Sequence, residues 1–295
     1  MLATGWEAKT MTTASRRDFL RSGAGASVAL AGEPLRARAV KDYLWSLGDW
    51  VDFKKTVDTF KAGDPDAVVK GIAVAWMSYT WALKRAVELG SNLFVTHEPT
   101  YYDHWDRITE VSELDKVRAK REFIEKSGLV ILRCHDMWDQ YPKLGIPDAW
   151  AQALGFSSPV AGSGYFRVFD VRGRTALDVA RQVAKRTKPF GQEAVQLIGP
   201  PNAAVHRVAI GCGAITPFLR FLREFKVDLA VCTDDGFTYW RDGALAIDSD
   251  LPVIIVNHPV AEESGLKLLA ELLKQKFPQV RVHHISERCM YRVVG

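Results

Sequence analysis

The sequence predicts an α/β protein built by internal duplication. Two observations point there: short apolar runs alternate with helical patterns across residues 50–295, and the first strand–helix–strand unit finds a likeness in the second half of the chain.

The first half supplies GIAVAW (71–76), a helix from about Thr80 to Leu89, NLFVT (92–96), a helix around 115–127 and LVILR (129–133). Strands interleaved with helices indicate α/β layering. A middle section follows. The second half then gives HRVAIGC (206–212) and a helix from about Pro217 to Phe225, with Thr216 as its N-cap. DLAVCT (228–233), PVIIVN (252–257) and a helix from about Glu262 to Lys276 complete it.

The first strand–helix–strand unit of each half overlays on the other without a gap. Setting Ala73 on Ala209 places Thr80 on Thr216, Leu83 on Leu219, Glu88 on Glu224, Leu93 on Leu229 and Val95 on Val231. A second overlay sets Val130 on Val253, His135 on His258 and Asp139 on Glu262. Each half therefore runs a strand into His-x-x-x-acid. A side chain at a strand end leaves the core and faces the crevice where α/β proteins bind ligands. Residues four apart on a following helix share a face, so the histidine and the acid converge. Imidazole with carboxylate suits zinc, manganese or iron(II).

The first unit adds a third strand end. LFVTHEPTYYDHWD carries His97 and Glu98 out of an apolar run that Pro99 stops, with His104 and Asp106 in the same loop. Of seven histidines, His97, His104, His135 and His258 lie in or beside these motifs, while His206, His283 and His284 read as structural or solvated.

Composition sets outer limits. The chain has 295 residues, 47% hydrophobic and 25% charged, with a formal net charge of +4. This is ordinary globular composition. Six of the basic residues against three acids fall within residues 1–39, so the folded part shows no basic stripe of the kind that binds nucleic acid. No apolar run is long enough to span a bilayer. SRRDFLRSGAGASVALAG, with Arg16 and Arg17 ahead of a small, weakly apolar stretch, resembles a twin-arginine export signal, and Ala37–Ala39 offers a cleavage site. Residues 1–39 are therefore read as signal or disordered, and the protein as periplasmic. Cys134, Cys212, Cys232 and Cys289 form no C-x-x-C pair and read as small buried residues.

Residues 50–295 resemble the GTP cyclohydrolase 1 type 2 homologue family, also called the Nif-three-like dinuclear metal-centre proteins. The matching stretches are AVELGSNLFVTHEP, ILRCHDMWDQ, VAIGCG, DLAVCTDD and VIIVNHPVAEESGLKLLAELLKQKFP. The resemblance implies two intertwined three-layer α/β/α lobes related by a pseudo-twofold, here about 50–140 and 205–295 with a connecting segment 141–204. It also implies homohexamers and two divalent metal ions held between the lobes. Carried over by position, His97, Asp139, His258 and Glu262 are metal ligands, and His135 is a supporting residue beside them. The family's second histidine of the first motif is Glu98 here, which either ligates through a harder, anionic oxygen or leaves the second ion weakly held. The family's common Asp falls where Trp76 or Met77 stands, and Asp234 replaces a glycine.

Two metals would imply metal-assisted hydrolysis of a small, phosphorylated or cyclic-amide substrate, with Tyr101, Tyr102, Arg133, Tyr239 and Arg241 candidates for steering it. The alternative is a non-catalytic metal-binding or assembly protein. No Walker loop, nucleophile elbow or dinucleotide fingerprint is present.

Overall fold

The structure, a computed structural model, describes residues 33–107, 110–214 and 217–294. The twin-arginine pair and Thr216 lie outside the described residues.

In chain order the first elements are α1 (Ala37–Trp45), β1 (Phe60–Ala62), β2 (Gly71–Ala75), α2 (Thr80–Glu88), β3 (Leu93–Thr96), α3 (Asp115–Ser127), β4 (Val130–Arg133) and α4 (Asp136–Asp139). There follow α5 (Ile146–Leu154), β5 (Ala161–Ser163), β6 (Phe166–Thr175), α6 (Ala176–Thr187), β7 (Gln196–Ile198) and β8 (Ala204–Gly211). The chain ends with α7 (Phe218–Arg223), β9 (Leu229–Thr233), α8 (Ala244–Asp248), β10 (Val253–Val256), α9 (His258–Lys276) and β11 (Arg281–His284).

These strands form two mixed sheets, ordered β1-β4-β3-β2-β11 and β5-β6-β8-β9-β10-β7. Within them β2, β3 and β4 run parallel, as do β8, β9 and β10. The two triples are the segments that the sequence overlays pair.

Their uninterrupted apolar runs have a packing cause: both faces are covered. Ile72, Val74, Leu93, Val95, Val130 and Leu132 share one core with Val208, Ile210, Leu229, Val231, Ile254 and Val256 of the other sheet, and with Leu266, Leu269 and Leu273 of α9. Alternate residues point the other way. Ala73, Ala75, Phe94 and Ile131 pack with Leu83 of α2 and Ile124 of α3. Ala209, Ala230, Cys232, Val253 and Ile255 pack with Phe218 and Phe221 of α7. The helix α9 approaches α5 closely at Gly265, where an added Cβ would come within 2.6 Å of Ile146 Cδ1. Trp138 Nε1 donates to the Gly265 carbonyl at 2.9 Å, locking that approach to the helical turn that bears Asp139.

Several boundaries differ from the sequence reading. Residues 37–39 are the first turn of α1, and Ala37 is fully buried, so the packed structure begins ahead of the expected cleavage site. Pro217 precedes α7 rather than lying within it. The helix α9 begins at His258, four residues early, because Pro259 is tolerated in a first turn. The segment 141–204 contributes α5, α6 and three strands of the second sheet, and β11 crosses back to pair with β2. These were missed because β6 is only partly buried and β5, β7 and β11 are sheet edges, where no continuous apolar run is needed.

Candidate metal centre

Three strand ends bring the acids and imidazoles together. β3 ends at Thr96 and delivers His97 and Glu98; β4 leads through His135 into α4 and Asp139; β10 leads through Asn257 into α9 with His258 and Glu262. All are nearly or fully buried apart from His135, which is half-buried.

Glu262 stands at the middle. Its Oε2 lies 3.4 Å from His97 Nε2, and its Oε1 lies 3.1 Å from His258 Nε2. His97 Nε2 is also 3.4 Å from Asp139 Oδ1, and His258 Nε2 is 3.5 Å from Glu98 Oε1. Two groups of three donors thus share one carboxylate: His97, Asp139 and Glu262, and Glu98, His258 and Glu262. A third group, His97, Glu98 and His135, overlaps them. His135 Nε2 lies 3.9 Å from Glu98 Oε1, and its ring stacks on that of His97 at 4.6 Å. Each of these groups could hold a metal ion.

The tautomers are set from outside. The Cys134 carbonyl lies 3.0 Å from His97 Nδ1; a carbonyl only accepts, so Nδ1 carries the proton and Nε2 offers a lone pair inward. Asp235 Oδ2 lies 2.9 Å from His258 Nδ1, the carboxylate–histidine arrangement that orients a metal-ligating imidazole. His97 Nε2, His258 Nε2 and Asp139 Oδ1 are then buried without any hydrogen-bond partner. Buried polar atoms are rarely left so. Three orphaned donors aimed at one space fit a cation.

The same conclusion follows from charge. The buried carboxylates favour positive charge at the centre of the cluster. Burial would strip the proton from His97, but Glu262 and Asp139 outweigh it and hold its pKa up to about 10. Burial would likewise neutralise Glu262, and the imidazoles of His258 and His97 outweigh that and draw it down to about 2.

Residues that the sequence reading did not assign support the ligands. Asp234 Oδ1 accepts from the His258 amide at 2.9 Å and Oδ2 from Asn257 Nδ2 at 2.8 Å, so it caps α9. Asp58, buried, does the same for the turn at His135, Asp136 and Met137 with bonds of 2.7, 3.0 and 2.8 Å. Trp76 Nε1 donates to Glu262 Oε2 at 2.8 Å, and its ring packs on His258 at 5.2 Å. An aspartate pair following a strand was the one sequence signal available for these helpers.

Glu98 does not point to solvent. Its Oε2 accepts from Arg133 Nη2 at 3.2 Å, while Oε1 faces His258 and His135. Arg133, a candidate for steering substrate, is fully buried, and its guanidinium also satisfies the His97 and His104 carbonyls. Tyr102 and Tyr239 are exposed, and Arg241 pairs with Asp242. His104 stays at the edge of the site, its ring 6.0 Å from that of His135. His206 is exposed on β8, and His283 and His284 are half-buried on β11.

Comparison with known proteins follows this geometry. A family model described as Duf34/NIF3 (NGG1p interacting factor 3) matches residues 57–289. A Clostridium perfringens protein named GTP cyclohydrolase 1 type 2 homolog is 23% identical over 223 residues, 72% of this chain and 81% of that one. In fold, the chain is similar to a Bacillus cereus protein related to NIF3, with a TM-score of 0.72 and 14% identity over 90% of this chain and all of that one. It is similar also to a hypothetical protein of Staphylococcus aureus, with a TM-score of 0.70 and 17% identity over 89% of this chain and all of that one.

Proposed function

The chain belongs to the Duf34/NIF3 family, and from that premise we propose that it is a dinuclear metal protein that hydrolyses a small substrate. The observation that carries this reading is the sharing of Glu262, whose two oxygens serve two different donor groups of three side chains each. Three protein donors per ion leave coordination positions for water and substrate, as catalytic sites do and closed structural sites do not. Two divalent ions so held supply Lewis acidity toward a water and toward a phosphate or carbonyl oxygen. The ions are zinc, manganese or iron, the mixed imidazole–carboxylate donors suiting all three.

The chain's own side chains do the rest. Cys134 O and Asp235 fix the two imidazoles, Trp76 fixes Glu262, and Arg133 fixes Glu98, so the donor set is organised before any ligand arrives. The relatives' printed name offers a cyclohydrolase analogy, and a phosphorylated or cyclic-amide substrate is proposed on that basis alone.

A second reading, a non-catalytic metal-binding or assembly protein, draws on the depth of His97, Asp139 and Glu262, each 1–2% exposed. Elemental analysis with a screen against phosphoesters and cyclic amides separates the two. About two ions per chain with metal-dependent turnover supports the hydrolase. Ions whose removal unfolds the protein, with no turnover, support the structural role.

The resemblance and the N-terminal sequence also lead us to propose homohexamers, twin-arginine export to the periplasm and no nucleic-acid partner. Among the described residues no helix is long and apolar enough to cross a membrane.

A further inference from the structure

We propose that Arg133 makes the two cation positions unequal, so that the ion held by Glu98 and His258 is the weaker and exchangeable one. The inference rests on the metal-binding reading above and concerns a residue outside both donor groups.

Arg133 is fully buried and always charged. Its Nε donates to the His97 carbonyl at 2.8 Å, Nη1 to the His104 carbonyl at 2.5 Å and Nη2 to Glu98 Oε2 at 3.2 Å. Glu98 therefore has one oxygen committed and one, Oε1, facing His258. A cation taken there would share that carboxylate with a fixed positive charge. In a buried site the resulting repulsion is weakly screened. Glu98 is also the most exposed ligand of its group, at 9%.

The other group carries no such burden. Asp139 Oδ1 has no hydrogen-bond partner, and the hydrogen bond that Glu262 Oε2 accepts comes from the neutral indole N–H of Trp76. Asp139 Oδ2 faces the His135 imidazole at 3.4 Å, and among the described residues the carboxylates on that side meet no guanidinium.

One more residue sets the size of the effect. Asp106, its side chain 4% exposed, lies 3.8 Å from Arg133 Nη1 and 3.4 Å from Lys61 Nζ. Charges alternate along Lys61, Asp106, Arg133 and Glu98 into the site. Asp106 offsets part of the Arg133 charge without touching any ligand, while its Oδ1 caps the Thr100 and Tyr101 amides at 2.6 and 2.8 Å.

The test is titration of the metal-free protein with Mn²⁺ and separately with Zn²⁺, followed by calorimetry and by ion content after gel filtration. The parent should bind in two steps, the second at least about ten-fold weaker. Asp106→Asn keeps an amide-capping oxygen but removes the offsetting charge, so the second step should weaken by about ten-fold more with the first unmoved. Arg133→Gln should bring the second step toward the first. Two equal steps in the parent, or an Asp106→Asn protein whose second step is unchanged or tighter, would overturn the inference while leaving metal binding intact. A parent that takes no ion overturns the metal reading itself. Should Arg133→Gln fail to fold, Asp106→Asn decides alone, with its unmoved first step as the check on its fold.

Discussion

Trp76 and Glu262 stand 186 positions apart in the chain, yet the indole N–H of one donates to the carboxylate of the other at 2.8 Å. That bond leaves Glu262 with one oxygen for each donor group. Trp76→Phe keeps most of the ring and loses the donor. It should weaken cation binding about three- to ten-fold and cost about 1.5–3 kcal/mol of stability, the usual range for a hydrogen bond to a charged group. Metal titration and urea unfolding measure the two effects separately.

Glu98 places an anionic oxygen where the resembled family places an imidazole. Glu98→Ala should lower metal content toward one ion per chain with the fold intact. Glu98→His should shift preference toward zinc. An alanine protein with the parent's ion content and preference would show that Glu98 holds no ion.

Asp235 acts through His258. Removing its charge weakens the hold on the imidazole's Nδ1 proton, and loss of such a supporting carboxylate typically costs ten- to a hundred-fold in metal affinity. Asp235→Asn should fall in that range, about ten-fold or more, and the circular dichroism spectrum should not change.

Glu287 belongs to none of the donor groups, and its Oε2 accepts from the Met77 amide at 2.7 Å. Burial first, then the nearby Glu263, raises its pKa from 4.5 to about 9. The folded chain therefore keeps a proton that the unfolded chain releases above pH 4.5. Stability should fall as pH rises from that value toward 9. Glu287→Gln removes this slope. Allowing for its partial exposure, the variant should exceed the parent by about 1–2 kcal/mol at pH 8, with the gap closing near pH 5. A gap of equal size at both pH values in urea unfolding would mean that Glu287 does not titrate.

The proposed export would rest on Arg16 and Arg17. With both changed to lysine, the protein should remain in the cytoplasm, as fractionation and immunoblotting would show. Undiminished periplasmic protein would remove the twin-arginine route.

His258 and Glu262 were legible because a strand end and a four-residue helical spacing fix where both side chains go. His97 was legible as a strand-end residue and Asp139 by its four-residue spacing from His135, but their meeting with Glu262 depends on two sheets packing against α9, which no local pattern encodes. Arg133 misled for a physical reason: arginine at a strand end usually reaches solvent, and only three inward acceptors make its burial tolerable. Trp76 was noticed as a departure, yet its indole donor has value only because Glu262 arrives from the far end of the chain. The edge strands escaped notice because half-exposed backbone tolerates polar sequence, and β11 carries Arg281, His283 and His284.

The return of β11 to β2 bears on how the protein is made. A ribosome releases His97, Glu98 and Asp139 long before Glu262, and the first sheet lacks its last strand until residue 284 has emerged. Pairing segments this distant in sequence slows folding and delays it to the end of synthesis. The nascent chain thus offers His97, Glu98, His135 and Asp139 without Glu262, the carboxylate shared by the other two donor groups. Any ion held through Glu262 would therefore be taken up only after that residue has emerged, in the compartment in which folding finishes.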